Sequence, residues 1–540
     1  MGDTAKYRIL PTLGVGIALW LALTTVLRGQ TLEDAWIYFH DKPHAGRYLD
    51  HPERMLSARA LARRQRLGIA VDSTDVPVYG PYLDSLRGAE GITLLAWSKW
   101  LNMAHVQGTE EHIRHLADWS FVDSIRFANR RLGTVARVGP RPDKWSRLQP
   151  TAEARVTDEE VPYMMHDAYG LQTEGLTGRG ILIAILDAGF PGAQEARVFS
   201  HIYARHGVVD TYNFPDNTTG VYTRHWHGST VWSVIGGYDP DQWTGTAYDA
   251  DFCLYITEDV YQEMPVEESW WVMGAERADS VGVDVINTSL GYVDFDRADY
   301  NHTYDELGRD VAVVSRGASM AVRKGIVVVV SAGNEGLSSW QRISFPADSP
   351  EVIAVGAVTA DSVRAAFSST GPDALGRIKP DVMSWGVNVK VFLGDRYYRL
   401  SGTSFAAPII TGFTARILQA YPALSPSTYK SFLLQASDRY DHPDNEYGYG
   451  IPDFGLLARM LDSASRSLQN VKVYPNPVRH TLYVRDLLVP QPYRLFGMNG
   501  RLIRAAITCG AIPMESLAAG VYLLYVGPDG KGRWWKIIKL

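Results

Sequence analysis

Ile181-Leu-Ile-Ala-Ile-Leu186, followed at once by Asp187-Ala-Gly189, is the stretch that decides the fold. An unbroken apolar run this short leaves no polar face. It describes a strand buried on both sides, as in parallel sheets covered by helices. Similar runs recur at Val283-Asp-Val-Ile286, Gly325-Ile-Val-Val-Val-Val330 and Val352-Ile-Ala-Val355. Helix-like segments lie between several of them, at Ser269 to Ser280 and Ser315 to Lys324. Buried strands alternating with helices predict an α/β domain with a parallel sheet, over residues 156–463. In such sheets ligands bind at the carboxyl ends of the strands. Asp187 stands at one such end.

Outside this region the texture changes. The chain has 540 residues, which predicts three or four domains. Its 46% hydrophobic and 21% charged residues are ordinary globular chemistry. A net charge of -6 argues against a dedicated nucleic-acid protein. A mean hydropathy of -0.13 excludes a polytopic membrane protein. The two cysteines, Cys253 and Cys509, are too few for a disulfide framework and read as small buried residues.

At the start, Lys6 and Arg8 precede an apolar run from Ile9 to Leu27. This predicts a secretory signal over residues 1–29. An uncleaved membrane anchor is the competing reading, although Pro11, Gly14 and Gly16 dilute the run. Residues 30–155 are mixed, with a strand-like Ala35-Trp-Ile-Tyr-Phe39. A basic stretch from Met55 to Leu67 carries Arg59, Arg63, Arg64 and Arg66, and reads as a solvated helix face. After Arg466 come short strands and turn pairs such as Asn499-Gly500 and Asp529-Gly530. They predict a small all-β domain over residues 467–540.

Four polar residues sit where the α/β pattern would gather function. Asp187 is a turn residue or an active-site carboxylate. His227 opens a helix-like stretch in Arg224-His-Trp-His-Gly-Ser-Thr-Val231. Asn334, in Ser331-Ala-Gly-Asn-Glu-Gly336, directly follows a buried strand and carries a carboxamide that can donate two hydrogen bonds. Ser404, in Gly402-Thr-Ser-Phe-Ala-Ala-Pro408, precedes an apolar helical run, so backbone donors lie beside its hydroxyl. Each alone is commonly structural. Together they supply a hydroxyl nucleophile, its base, a carboxylate to orient the base and a donor for an oxyanion. His225 beside His227 keeps a metal reading open, without a third ligand at convincing spacing.

These motifs resemble those of the subtilisin-like serine peptidase family, over about 300 residues from Tyr169 to Asp453. The order Asp187, His227, Ser404 is also the subtilisin order. The resemblance implies a secreted serine endopeptidase with a three-layer α/β domain. Calcium often stabilises relatives, but no calcium loop is legible in this sequence, and no cofactor or metal is expected. Asp187, His227 and Ser404 would be its triad, and Asn334 would help form its oxyanion hole. It further implies that Ser289-Leu290-Gly291 pairs with an extended substrate and that Ser344, before Phe345-Pro346-Ala347, lines the pocket. Two departures stand out: Ser229 replaces a usual threonine, and Thr230 a usual histidine.

The flanks carry resemblances of their own. Trp36-Ile-Tyr-Phe-His-Asp-Lys42, Leu56-Ser-Ala-Arg-Ala-Leu-Ala-Arg-Arg64 and Asp75-Val-Pro-Val78 are similar to an α+β propeptide of Bacteroidota-like subtilases, over residues 30–155. Tyr474-Pro-Asn-Pro477, Leu495-Phe-Gly-Met-Asn-Gly-Arg501, Leu517-Ala-Ala-Gly-Val-Tyr522 and Lys536-Ile-Ile-Lys539 resemble a β-sandwich sorting domain of type IX secretion. The implied partners are peptide substrates, the chain's own propeptide and that secretion machinery. The implied destination is the cell surface or the exterior of a Gram-negative bacterium, by way of the periplasm. A carbohydrate-binding or adhesion module is the alternative for the tail, and an adhesin on a disused peptidase scaffold for the whole.

Overall fold

The computed structural model describes residues 31–132, 160–240, 242–466, 468, 471–485, 487, 491–508, 510–527 and 532–540. The expected signal, the expected propeptide end near residue 155 and Cys509 lie outside the described residues.

The N-terminal domain contains β1 (Leu32–Phe39), α1 (Ala58–Leu67), β2 (Ile92–Ser98), β3 (Met103–Thr109) and β4 (Val122–Phe127). Its strands form one antiparallel sheet in the order β2-β3-β1-β4. Helix α1 begins where Ser57 Oγ accepts from the Ala60 N–H, and it ends at Gly68 in the left-handed region.

The α/β pattern yields the central domain. In chain order its main elements are β5 (Leu182–Asp187), β6 (Val208–Asn213), α2 (His227–Gly236), β7 (Asp251–Ile256), α3 (Val266–Val281) and β8 (Val285–Thr288). Then follow α4 (Val313–Arg323), β9 (Val327–Ser331), β10 (Ile353–Val358), β11 (Val382–Trp385) and α5 (Thr403–Ala420). All seven strands are parallel, in the order β11-β10-β9-β8-β5-β7-β6. Alternation along β5 shows why the sequence run is unbroken. Ile183 and Ile185 join the core shared with α2 and α5, while Leu182, Ala184 and Leu186 join the core under α3 and α4. This is a three-layer α/β/α sandwich. The chain leaves β5 towards β6 and later returns to the other side through β8. The crevice at the carboxyl ends of β5 and β8 is therefore a topological switch point.

The N-terminal sheet covers the α3 and α4 layer. Trp36, Trp100 and Met103 belong to the same buried core as Trp271 and Val313. Glu276 on α3 accepts from Ser98 Oγ at 2.5 Å and from the Trp100 N–H at 2.9 Å.

The basic stretch departs from its sequence reading. Arg63 and Arg64 are about as buried as any side chain in the protein, each 1% exposed. Arg63 pairs with Asp279 on α3, as does Arg64 at 2.7 Å. Arg64 also meets Asp75 at 2.9 Å, and Lys324 reaches Asp75 at 3.0 Å. Periodicity alone cannot separate a charged face in water from one closed against carboxylates of another domain.

The tail has one three-stranded and one four-stranded sheet around Val478, Leu482, Leu495, Leu524 and Ile537, an all-β domain as expected. Among the described residues, no helix is long and apolar enough to cross a membrane.

Candidate active site

Asp187 ends β5, and its side chain is completely buried. Its Oδ1 accepts from the Ala188 N–H at 2.7 Å and from His227 Nδ1 at 2.7 Å. A carboxylate can only accept, so this bond assigns the Nδ1 proton to the imidazole. His227 is the first residue of α2 and is equally buried. Gly228 makes that approach possible. A Cβ there would lie 2.4 Å from the Gly189 carbonyl oxygen and 3.0 Å from Asp187 Cβ, so any side chain would push α2 away from β5.

The two unusual residues of the histidine motif are satisfied locally. Ser229 Oγ donates to the Pro191 carbonyl at 2.9 Å, and Thr230 Oγ1 to the His227 carbonyl at 2.7 Å. His225 Nδ1 accepts from the His227 N–H at 3.3 Å. No group of three or more His, Cys, Asp or Glu side chains converges as a cation site among the described residues.

Ser404 lies in the first turn of α5, a helix buried almost throughout. Pro408 sits inside that helix and has no N–H to give to the Ser404 carbonyl. The orphaned carbonyl accepts instead from Ser289 Oγ at 2.9 Å, and Ser404 Oγ donates to the Ser289 carbonyl at 3.2 Å. The reciprocal pair ties the nucleophile candidate to the end of β8. Ser289, Leu290 and Gly291 run on from Thr288, just past the strand.

Asn334 follows β9 in the same crevice. Its Oδ1 accepts from the Thr403 N–H at 2.9 Å and from Thr403 Oγ1 at 3.1 Å. The backbone donor fixes the amide's orientation, so its NH2 end points away from Thr403. Sequence reasoning missed this use of Thr403; the signal was a hydroxyl residue in the first turn of a helix, where the backbone N–H groups have no partner within the helix.

Ser344 is buried, and its hydroxyl has no hydrogen-bond partner. A Cβ added to Gly291 would lie 2.3 Å from Ser344 Oγ, and one added to Gly333 would lie 3.1 Å from it. Two glycine walls thus face the Ser344 hydroxyl. Cys253 is free and buried, and burial pushes its thiol up to about 12. It remains a protonated core residue rather than a nucleophile.

The Subtilase family model matches residues 178–450, which contain every element of this crevice. The chain belongs to the subtilase family. A second family model, the Bacteroidota propeptide domain of the S8 peptidases, matches residues 34–142. Among relatives of this subtilase, serine protease AprX of Bacillus subtilis (strain 168) is 28% identical over 306 residues, covering 51% of this chain and 65% of AprX. Subtilisin E of the same strain is 30% identical over 298 residues, covering 54% of this chain and 70% of the relative. The match to AprX thus spans just under two thirds of that protein. The solved self-cleaved protease domain of PatA aligns with a TM-score of 0.42 at 22% identity, covering 53% of this chain and 97% of that one. Family membership places the chain among serine endopeptidase hydrolases, with a propeptide domain ahead of the catalytic domain.

Proposed function

We propose that this subtilase cleaves peptide bonds through Ser404, with His227 as general base and Asp187 as the group that orients it. The observation that carries this reading is the buried Asp187–His227 bond of 2.7 Å at the switch point of the sheet. Holding the proton on Nδ1 leaves Nε2 as the basic nitrogen. Nε2 takes the Ser404 proton as Oγ attacks the scissile carbonyl. The Asn334 NH2 and the Ser404 N–H then donate to the tetrahedral oxyanion, at the positive end of α5. The imidazolium returns its proton to the leaving amine, and water releases the acyl-enzyme. The Ser404–Ser289 bond is a resting arrangement for the hydroxyl, since catalytic hydrogen bonds often tighten only around substrate. Fluorophosphonate labelling and peptide turnover, compared between the parent protein and Ser404→Ala, test this assignment.

Ser289, Leu290 and Gly291 would hold the substrate backbone, and Ser344 would form the floor of the side-chain pocket. The unpartnered Ser344 hydroxyl between two glycine walls supports this. A Ser344→Asp variant is expected to raise the kcat/KM ratio of lysine or arginine over leucine at the cleaved position about tenfold or more. Side-chain profiling of the cleaved position checks this; an unchanged profile would remove Ser344 from the pocket.

The domains are proposed to divide as signal (1–29), propeptide (30–155), peptidase (156–463) and sorting domain (467–540), with secretion from a Gram-negative cell. The Bacteroidota propeptide match supports a secreted zymogen. For the tail we propose passage by type IX secretion, supported by its sequence motifs and compact β fold. A chain truncated after residue 466 is expected to stay in the periplasm while the full chain reaches the surface or medium. Fractionation and immunoblotting decide this, and equal export of both forms would refute a sorting role.

A further inference from the structure

Between Gly291 and α4 the catalytic domain carries a loop whose charged residues have no place in the triad chemistry. Arg130 of the propeptide lands on it. Its Nε donates to Glu306 Oε1 at 2.9 Å, its Nη2 to Glu306 Oε2 at 2.6 Å, and its Nη1 to the Tyr300 carbonyl. This is the forked, two-point recognition that a guanidinium makes and an ammonium cannot.

The catalytic domain builds the seat from its own residues. Glu306 closes a capping box with Thr303, so its carboxylate is held from behind. His302 is buried and bonds Glu306 through Nδ1 at 2.8 Å and Glu268 through Nε2 at 2.9 Å. Glu268 in turn accepts from the Val314 N–H at 3.0 Å. Burial opposes ionisation of Glu306, but its bonds with His302 and Arg130 hold the carboxyl down to about 2. The seat borders a cavity of about 740 Å³ whose catalytic wall includes Pro265, Phe295, Tyr300 and His302. It also backs onto the proposed substrate pocket. The His302 ring lies 4.2 Å from that of Phe345, which directly follows Ser344. By contrast, the neighbouring Arg131–Asp299 contact is a single 2.8 Å bond with Arg131 half-exposed.

We propose that this seat is a guanidinium-binding subsite that takes an arginine side chain of a peptide substrate once the propeptide has left. The proposal rests on the peptidase reading above. Arg130 then occupies, in the zymogen, a place that a substrate arginine fills in the processed enzyme. Pre-organisation of Glu306 by Thr303 and His302 lets the subsite outlast the propeptide's departure.

The test uses the processed enzyme and extended peptides. One residue is varied between arginine and citrulline, its uncharged analogue, at each position upstream of the one that fills the Ser344 pocket. Arginine is expected to raise kcat/KM about tenfold over citrulline at one upstream position, and the ratio is expected to fall to about one in Glu306→Gln. Cleavage of the citrulline peptides reports the peptidase itself. Cleaved peptides with no arginine preference anywhere upstream would overturn the subsite, leave the peptidase reading standing and make Arg130 a propeptide anchor only. A preference that survives Glu306→Gln would overturn it equally. Because the arginine–citrulline comparison is made on the unaltered enzyme, it decides the matter even where the variant fails to fold.

Discussion

Ser404→Ala is expected to abolish fluorophosphonate labelling and to lower kcat by about six orders of magnitude, the loss known for the triad of subtilisin. The physical reason lies in the crevice. Ser404 lies in the first turn of α5 between Thr403, which bonds Asn334, and Phe405, whose ring lies 5.9 Å from that of His227. Removing Oγ leaves the proposed oxyanion donors and substrate groove in place, so binding is expected to persist while the covalent route closes. Asn334→Ala tests the other half of the machine. It is expected to slow kcat by about two to three orders of magnitude with labelling retained, again the magnitude known for subtilisin. Peptide mass mapping of the processed protein should show one adduct on Ser404, absent from the alanine variant. No adduct on a processed, folded protein, together with activity lost to a chelator, would move the chemistry to His225 and His227.

The second large effect belongs to the interface between propeptide and catalytic domain. Asp279→Ala is expected to destabilise the unprocessed chain by about 3–5 kcal/mol, the range for breaking a buried ion pair from one side. Asp279 is completely buried and receives both Arg63 and Arg64. Without it Arg64 is left with Asp75, which Lys324 already engages, and Arg63 with the Val283 carbonyl. The loss is specific to one state of the protein. Arg63 and Arg64 belong to the propeptide, so their departure opens Asp279 to water, where an alanine costs little. Urea unfolding of the unprocessed chain, in a Ser404→Ala background that keeps it intact, should show the lowered midpoint. The processed enzyme carrying the same substitution should unfold close to its parent. Equal stability of both unprocessed forms would mean that the network contributes nothing to holding the domains together.

Much was legible in the sequence because it depends on local pattern. The apolar run Ile181 to Leu186 marked β5 as a strand buried on both faces, and its alternate residues do enter two different cores. Asp187, His227, Asn334 and Ser404 stood out as candidates because parallel sheets deliver polar residues at strand ends and helix starts, where four motifs follow in order. Pro408, placed four residues after Ser404, foretold a break in the helix bonding, though not that Ser289 would fill the gap.

Other features were settled only when the chain closed on itself. The arginines of α1 looked solvated because charge in a sequence carries no record of its partner; Asp279 lies more than 200 residues away. The same holds for Arg130 and Glu306, from different domains, and for His302 held between two carboxylates. The sequence by itself determined the elements and the residue types at their ends, since these follow from backbone geometry and hydrophobic period. Tertiary structure decided which charges are buried, which carbonyls are answered and which glycines face Ser344, since desolvation and long-range pairing exist only in the folded chain.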